Sequence, residues 1–163
     1  VTIRPATPAD IPDLLALWNP LIAGSMVTFN PTEKTAEDLA AMIEDKRKGD
    51  YPFLVAYDGT LQGFVTYGQF RAGVGYARAM EHTIILGEGA RGRGLGRALM
   101  AQIEDHARDR GRHSMIAGVS GGNPQGRAFH AALGYDLVAT VPQVGWKFGQ
   151  FWDLWLMQKI LTK

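Results

Sequence analysis

The stretch Met80-Glu81-His82-Thr83-Ile84-Ile85-Leu86-Gly87-Glu88-Gly89-Ala90-Arg91-Gly92-Arg93-Gly94-Leu95-Gly96-Arg97-Ala98-Leu99-Met100-Ala101 decides the fold. Its apolar run, residues 83–86, reads as a buried strand. Leu95, Ala98, Leu99, Ile103 and Ala107 then recur at helical spacing. Between them lies a glycine-rich basic turn, residues 87–96. Strand, glycine turn and helix in that order gather unpaired backbone N–H groups and a helix N-terminus around one small volume, which favours an anion. Arg91, Arg93 and Arg97 add side-chain charge there. The stretch reads as a site for a phosphate-bearing cofactor.

Three motifs compete for the glycines of this chain. Residues 87–92 spell G-x-G-x-x-G, but a dinucleotide site also wants an acidic residue ending the next strand, and that strand runs into Gly118-Val119-Ser120. Residues 118–122 spell G-x-S-x-G. A hydrolase elbow needs a later Asp or Glu and then a His, whereas His130 precedes both Asp136 and Asp153. Arg91-Gly92-Arg93-Gly94-Leu95-Gly96 is an R-x-x-G-x-G pattern. Its glycines let backbone N–H groups curl around a pyrophosphate while the arginines neutralise it. Only this third reading uses the basic residues as well as the glycines.

Working outward, Val1 to Arg4 suits a first strand. Thr7-Pro8 can open a helix with Ile11, Leu14, Leu15 and Trp18 on one face, interrupted at Asn19-Pro20. Residues 25–32 read as an irregular segment holding Met26, Val27 and Phe29. Thr35 to Asp38 resembles a capping box for a helix ending at Gly49. Phe53 to Tyr57, the Asp58-Gly59 turn and Leu61 to Phe70 form a hairpin pattern. Ser114 to Val119 is another buried strand, and Asn123-Pro124 caps a short helix ended by Gly134. Tyr135 to Val141 and Phe151 to Leu161 are strands around a loop at residues 143–149. The expectation is an α/β fold with a mixed sheet of about seven strands and about four helices.

The chain of 163 residues is most simply one domain, 1–163, with 46% hydrophobic and 20% charged residues. A net charge of +1 gives no general pull toward nucleic acid or an acidic membrane, so neither is expected as a partner. Without cysteine there are no disulfides, thiolate metal ligands or cysteine nucleophile. His, Asp and Glu show no metal-ligand spacing, and no metal is expected. No apolar run approaches ~18 residues and no signal-peptide layout is visible, so the expected compartment is the cytoplasm.

Arg91 to Gly96 after an apolar strand resembles the acetyl-CoA-binding motif of the GCN5-related N-acetyltransferases. Asn123, Phe129, His130, Gly134 and Tyr135 match that family's second motif, N-x-x-A-x-x-L-Y-x-x-x-G-F, with Gly126 at its small-residue position and His130 at its tyrosine. Glu81 to Ile84, Pro142 to Gly149 and Trp152 to Leu154 resemble the branch that acetylates the α-amine of phosphinothricin, methionine sulfoximine and methionine sulfone. The resemblance covers nearly the whole chain. It implies acetyl-CoA as co-substrate, held at a splay between two central parallel strands. Ile84, Ile85 and Leu86 would offer backbone groups to its pantetheine arm and thioester. Arg91, Gly92, Arg93, Gly94, Leu95, Gly96 and Arg97 would hold the pyrophosphate, and Asn123 would bond nearer the pantetheine. This branch commonly forms homodimers.

Acetyl transfer needs a neutral amine, and a free α-amino group with a pKa near ~8 is mostly protonated at neutral pH. Glu81 begins the strand that would carry the thioester and is the first choice as general base. His82 alternates to the opposite face. His130 either protonates the departing thiolate or anchors the cofactor. Met26, Val27, Phe29 and Leu133 are candidates for the side-chain pocket of a small zwitterionic amino acid. The resemblance places Val74, Gly75 and Tyr76 at its rim, flanked by Arg71 and Arg78, with Arg78 the better charge for a carboxylate. Trp146, Lys147 and Phe148 form an aromatic-basic loop that closes the site or completes it across a dimer. Other readings are a CoA-binding sensor without turnover, or an acetyltransferase for protein N-termini or polyamines.

Overall fold

A computed structural model describes residues 1–163. The strands are β1 (Thr2–Pro5), β2 (Phe53–Asp58), β3 (Thr60–Gln69), β4 (Ala79–Leu86), β5 (Ser114–Ser120), β6 (Asp136–Lys147) and β7 (Gln150–Ile160). The helices are α1 (Ile11–Gly24), α2 (Ala36–Lys48), α3 (Leu95–Asp109) and α4 (Pro124–Ala132). The strands form one sheet in the order β1-β2-β3-β4-β5-β7-β6. All neighbours are antiparallel except β4 and β5, which α3 connects as a parallel pair.

Strand alternation divides the core in two. On one face Ile85 of β4 packs with Ile11, Leu14, Trp18 and Ile22 of α1 and Leu39 of α2. On the other, Met80 of β4 packs with Leu95, Leu99, Ile103 and Ala107 of α3. Odd residues of β4 therefore face α1 and even residues face α3.

The helix starts follow the sequence signals. Thr35 and Asp38 complete a reciprocal capping box, and Asn123 Oδ1 accepts from the Gly126 N–H at 3.0 Å. Two expectations are corrected. First, α1 runs through Pro20 to Gly24 instead of breaking there. An interior proline costs about 3 kcal/mol. Burial of Trp18 and Ile22 opposes that cost, as does a bracket in which Asn19 bonds both the N–H and the carbonyl of Lys34. Second, residues 143–149 are not a loop. β6 passes through an irregularity between Val141 and Gly145, with Gln143 at φ 55°, and then continues to Lys147. The turn into β7 is only Phe148-Gly149, at φ 53° and 75°, the two-positive form that matches strand twist.

Candidate active site

β4 and β5 pair only at Ala79–Ser114, Met80–Met115 and Glu81–Ile116. Beyond Glu81 they part, although β4 runs on to Leu86 and β5 to Ser120. The Ala79 carbonyl accepts from Phe70 on the β3 side and the Gly87 N–H donates to Gln62, also on that side. The Arg78 carbonyl accepts from Ser114 on the β5 side. Alternation then turns the backbone groups of Ile84 and Leu86 into the gap and those of Ile85 toward β3. Unpaired strand groups facing a gap must bond to something else.

A cleft of about 660 Å³ runs from this gap along the start of α3. Ile84, Ile85, Leu86, Arg91, Gly92, Gly94, Leu95, Gly96, Arg97, Asn123, Met26 and Leu133 all line it. Gly92 and Gly94 stand at φ 74° and 75°, where a Cβ would be strained. The first bond into α3 is Ala98 N–H to the Gly94 carbonyl, so the amides of Leu95, Gly96 and Arg97 point out of the helix end. The Leu95 side chain itself is buried in the core. Gly87, by contrast, has ordinary φ and precedes a short 3-10 turn, so the left-handed loop belongs to the R-x-x-G-x-G reading. Arg91 donates to Gln125 Oε1 of α4 at 2.8 Å, joining the cleft's two walls. Arg93 does not line this cleft and pairs with Asp58. These amides and arginines fit a pyrophosphate.

A second cavity of about 290 Å³ opens on the α1 side and shares Val27, Ile84, Ile85, Asn123, Gly126 and His130 with the first. Glu81, Phe29, Thr83, Gly118 and Ser120 also line it. Glu81 is half-buried, and burial alone raises its pKa above the usual carboxylate value. A Cβ at Gly118 would lie 3.0 Å from Glu81 Oε2, so β5 carries glycine where the carboxylate rests. Ser120 is buried and its Oγ accepts from the Gly122 N–H at 3.0 Å, which spends it on a turn.

His82 faces α4, on the opposite side of the sheet from Glu81. His130 Nδ1 lies 2.7 Å from the Gly126 carbonyl, which can only accept, so Nδ1 carries the proton. The Nε2 of a neutral His130 is then the acceptor, and His82 Nε2–H donates to it at 2.9 Å. Burial lowers the pKa of His130 and, with the adjacent ring, pushes His82 down to about 3. The pair is neutral, both His130 nitrogens are engaged, and the buried His82 Nδ1 has no partner.

Arg71, Val74, Gly75, Tyr76 and Arg78 are exposed and line neither cavity; Val74 is 94% exposed. Arg71 stacks over Tyr76. Sequence reasoning missed Gly118, although a glycine inside a buried strand signals close approach. It also left Lys147 in a loop. The Lys147 side chain is in fact buried and donates to the carbonyls of Ile22, Ser25 and Thr28 at 2.7, 2.6 and 2.7 Å.

A sheet splayed between two parallel strands, with a glycine-arginine helix entrance at one end and a half-buried carboxylate at the other, defines a group-transfer enzyme. Residues 18–135 match the acetyltransferase (GNAT) family, and the chain belongs to it. An L-methionine sulfoximine/L-methionine sulfone acetyltransferase of Pseudomonas aeruginosa is 34% identical over 96% of this chain and 92% of its own length. A phosphinothricin N-acetyltransferase of Streptomyces coelicolor is 32% identical over 94% and 92%. Among solved structures, a ribosomal-protein-alanine N-acetyltransferase from Brucella melitensis superposes with TM-score 0.93 at 37% identity, covering 98% of this chain and 99% of its own. A Salmonella typhimurium acetyltransferase with its cofactor acetyl-CoA gives TM-score 0.93 at 32% identity, covering 99% and 94%.

Proposed function

We propose that this enzyme transfers acetyl from acetyl-CoA to the α-amine of a small amino acid or analogue, with Glu81 as general base. Methionine sulfoximine, methionine sulfone and phosphinothricin are the substrates assigned. The observation that carries this is Glu81 itself: a carboxylate with its pKa raised by burial, in a cavity that meets the cofactor cleft at Ile84. A raised pKa suits it to take a proton from an ammonium near neutral pH. Arg91, Gly92 and the stretch from Gly94 to Arg97 hold the pyrophosphate, with Arg93 set aside in its pair with Asp58. Acetyl-CoA supplies the thioester, and the amides of Ile84 and Leu86 steady its arm and the charge that develops on its carbonyl oxygen. His130, neutral and doubly bonded, holds the first turn of α4 beside Asn123; the CoA sulfur leaves as a thiolate, whose parent thiol has a pKa of ~8.5, and takes its proton from solvent afterwards.

The α-amine enters through the Glu81 cavity beside Phe29, with the substrate side chain reaching toward Met26 and Leu133 of the adjoining cleft, while Arg71 and Arg78 lie on the surface outside both cavities. The enzyme works as a homodimer through the β6–β7 face. That face leaves Val144, Trp146, Phe148 and Phe151 52–60% exposed, an apolar patch that a second copy would cover.

The test is thiol release from acetyl-CoA across amino acids and their sulfoximine, sulfone and phosphinate analogues. Release with those analogues is expected, and no release with any of them would end this reading. A second reading, acetylation of a protein N-terminal alanine, is favoured by the likeness to the Brucella structure. Peptides beginning with alanine belong in the same assay, and their exclusive use would select it.

A further inference from the structure

The face alternation of β6 near its hairpin separates two tasks. Trp146 and Phe148 point outward and are exposed, while Gly145 and Lys147 point inward and are buried. An ammonium has three N–H donors, and Lys147 aims its donors at three backbone carbonyls. The Ile22 carbonyl lies in the last turn of α1, where carbonyls have no intrahelical partner and the helix dipole is negative. The carbonyls of Ser25 and Thr28 belong to the segment that follows. Two positions before Lys147, the Phe29 ring lies 2.6 Å from where a Gly145 Cβ would stand, so the ring rests on bare backbone.

The segment held in this way is the wall between the two cavities. Ser25, Met26 and Val27 line the cofactor cleft, and Val27, Thr28 and Phe29 line the Glu81 cavity. Met26 also lies across Gly122, 3.0 Å from where its Cβ would be, bridging the cleft. Ser25 is also tied to α1 by its N–H and Oγ, which donate to the Leu21 carbonyl at 3.1 and 2.7 Å, but beyond it the segment has only a Ser25 Oγ bond to the Val27 N–H and a Thr28 Oγ1 bond to the Asn30 N–H, both at 3.3 Å.

We infer that Lys147 is a positioning residue for the amine substrate: its buried ammonium ties residues 22, 25 and 28 to the β6–β7 hairpin and so sets the wall facing Glu81. This rests on the amino-acid reading above for its kinetic consequence, but not for its structural one. Lys147 touches no reacting atom. Its contribution is the placement of Val27, Thr28 and Phe29, where a shift of about an ångström is enough to spoil an attack geometry.

The test is Lys147→Met, which keeps the stem and removes the donors, with Lys147→Gln in reserve should the first fail to fold. Tyr67→Phe is the control for lost stability, since Tyr67 is buried, bonds His106 and lines neither cavity. In the full-length protein, hydrogen exchange of the amides at residues 25–30 should accelerate about tenfold or more in the Lys147 variant, with those of residues 95–97 unchanged. KM for the amino acid should rise about tenfold while the acetyl-CoA Kd stays within about threefold, because the phosphate end is untouched. Unchanged exchange at residues 25–30, or an amino-acid KM that moves no more than in Tyr67→Phe, would overturn the inference. If the wild type turns over no amino acid, the functional reading fails, and the exchange result still decides the role of Lys147.

Discussion

The two ends of the splay are built differently. At the cofactor end, the backbone supplies the chemistry: amides of Leu95, Gly96 and Arg97 at the start of α3, and strand groups of Ile84 and Leu86. At the proposed substrate end, one side chain, Glu81, would carry it, in a cavity whose walls come from α1, the segment after it, β4, β5, α4 and β7. A backbone site is fixed by local conformation and needs glycines in sequence. A side-chain site is fixed by packing, and its parts can lie anywhere in the chain. The first should fail in cofactor affinity when broken, and the second in turnover.

The largest effect expected is at Glu81. Glu81→Gln should lower kcat by about a hundredfold or more, with the acetyl-CoA Kd within about twofold; steady-state kinetics and calorimetry measure the two. Equal losses in both would erase the distinction between the ends. The mirror experiment is Gly94→Val. A β-branched residue at φ 75° costs roughly 1–2 kcal/mol, so acetyl-CoA affinity should fall about tenfold while kcat at saturation changes little.

The pH dependence sharpens the substrate end. Burial raises the Glu81 pKa, so its protonated form, which could not act as the proposed base, persists to higher pH than for a free carboxylate. The kcat/KM profile should therefore rise along an acid limb centred above the ordinary value near ~4.3 and plateau at higher pH. The same shift means that ionising Glu81 costs folding energy. Its favourable effect on stability is present below the ordinary carboxylate pKa and is lost as pH rises through the raised one. Gly118→Ala should act on the same group more gently. The added methyl at 3.0 Å from Oε2 obliges the carboxylate to move by a few tenths of an ångström, and kcat should fall by about threefold to tenfold. A kcat equal to wild type would mean that Glu81 need not rest on β5.

The smallest effect belongs to the rim of the cofactor end. Asp58→Asn frees Arg93 from an exposed pair worth under about 1 kcal/mol. Thermal stability should barely change, and acetyl-CoA should bind up to about twofold tighter at low salt, a gain that titrations at raised ionic strength should remove.

The same contrast explains what could be read from the sequence. The cofactor end occupies one stretch, residues 84–97, and its glycines, arginines and helix start are written next to each other. The strand ladder and the caps at Thr35 and Asn123 were legible for the same reason: each is set by residues a few positions apart. Lys147 was not legible, because its partners lie at Ile22, Ser25 and Thr28, more than a hundred residues away in the chain. A buried lysine and a surface lysine look alike until the fold brings carbonyls to one of them. Pro20 misled because a local preference against helix was overridden by burial of Trp18 and Ile22. Residues 143–149 misled because Pro142, Gly145 and Gly149 resemble loop punctuation, whereas the irregularity at Gln143 and a two-residue turn let the ladder continue.

The alternation of β4 has a consequence for how this enzyme can change over generations. Glu81 is odd-numbered and its side chain falls on the α1 face; Ile84 and Leu86 are even-numbered and their backbone groups fall in the gap. Substitutions along β4 can retune the site one position at a time. Inserting or deleting a single codon between Glu81 and Ile84 would exchange odd for even, leaving the carboxylate on one face or the amides in the gap, but not both. The three-residue interval is therefore a length that descendants of this gene must keep, even where the residues inside it drift.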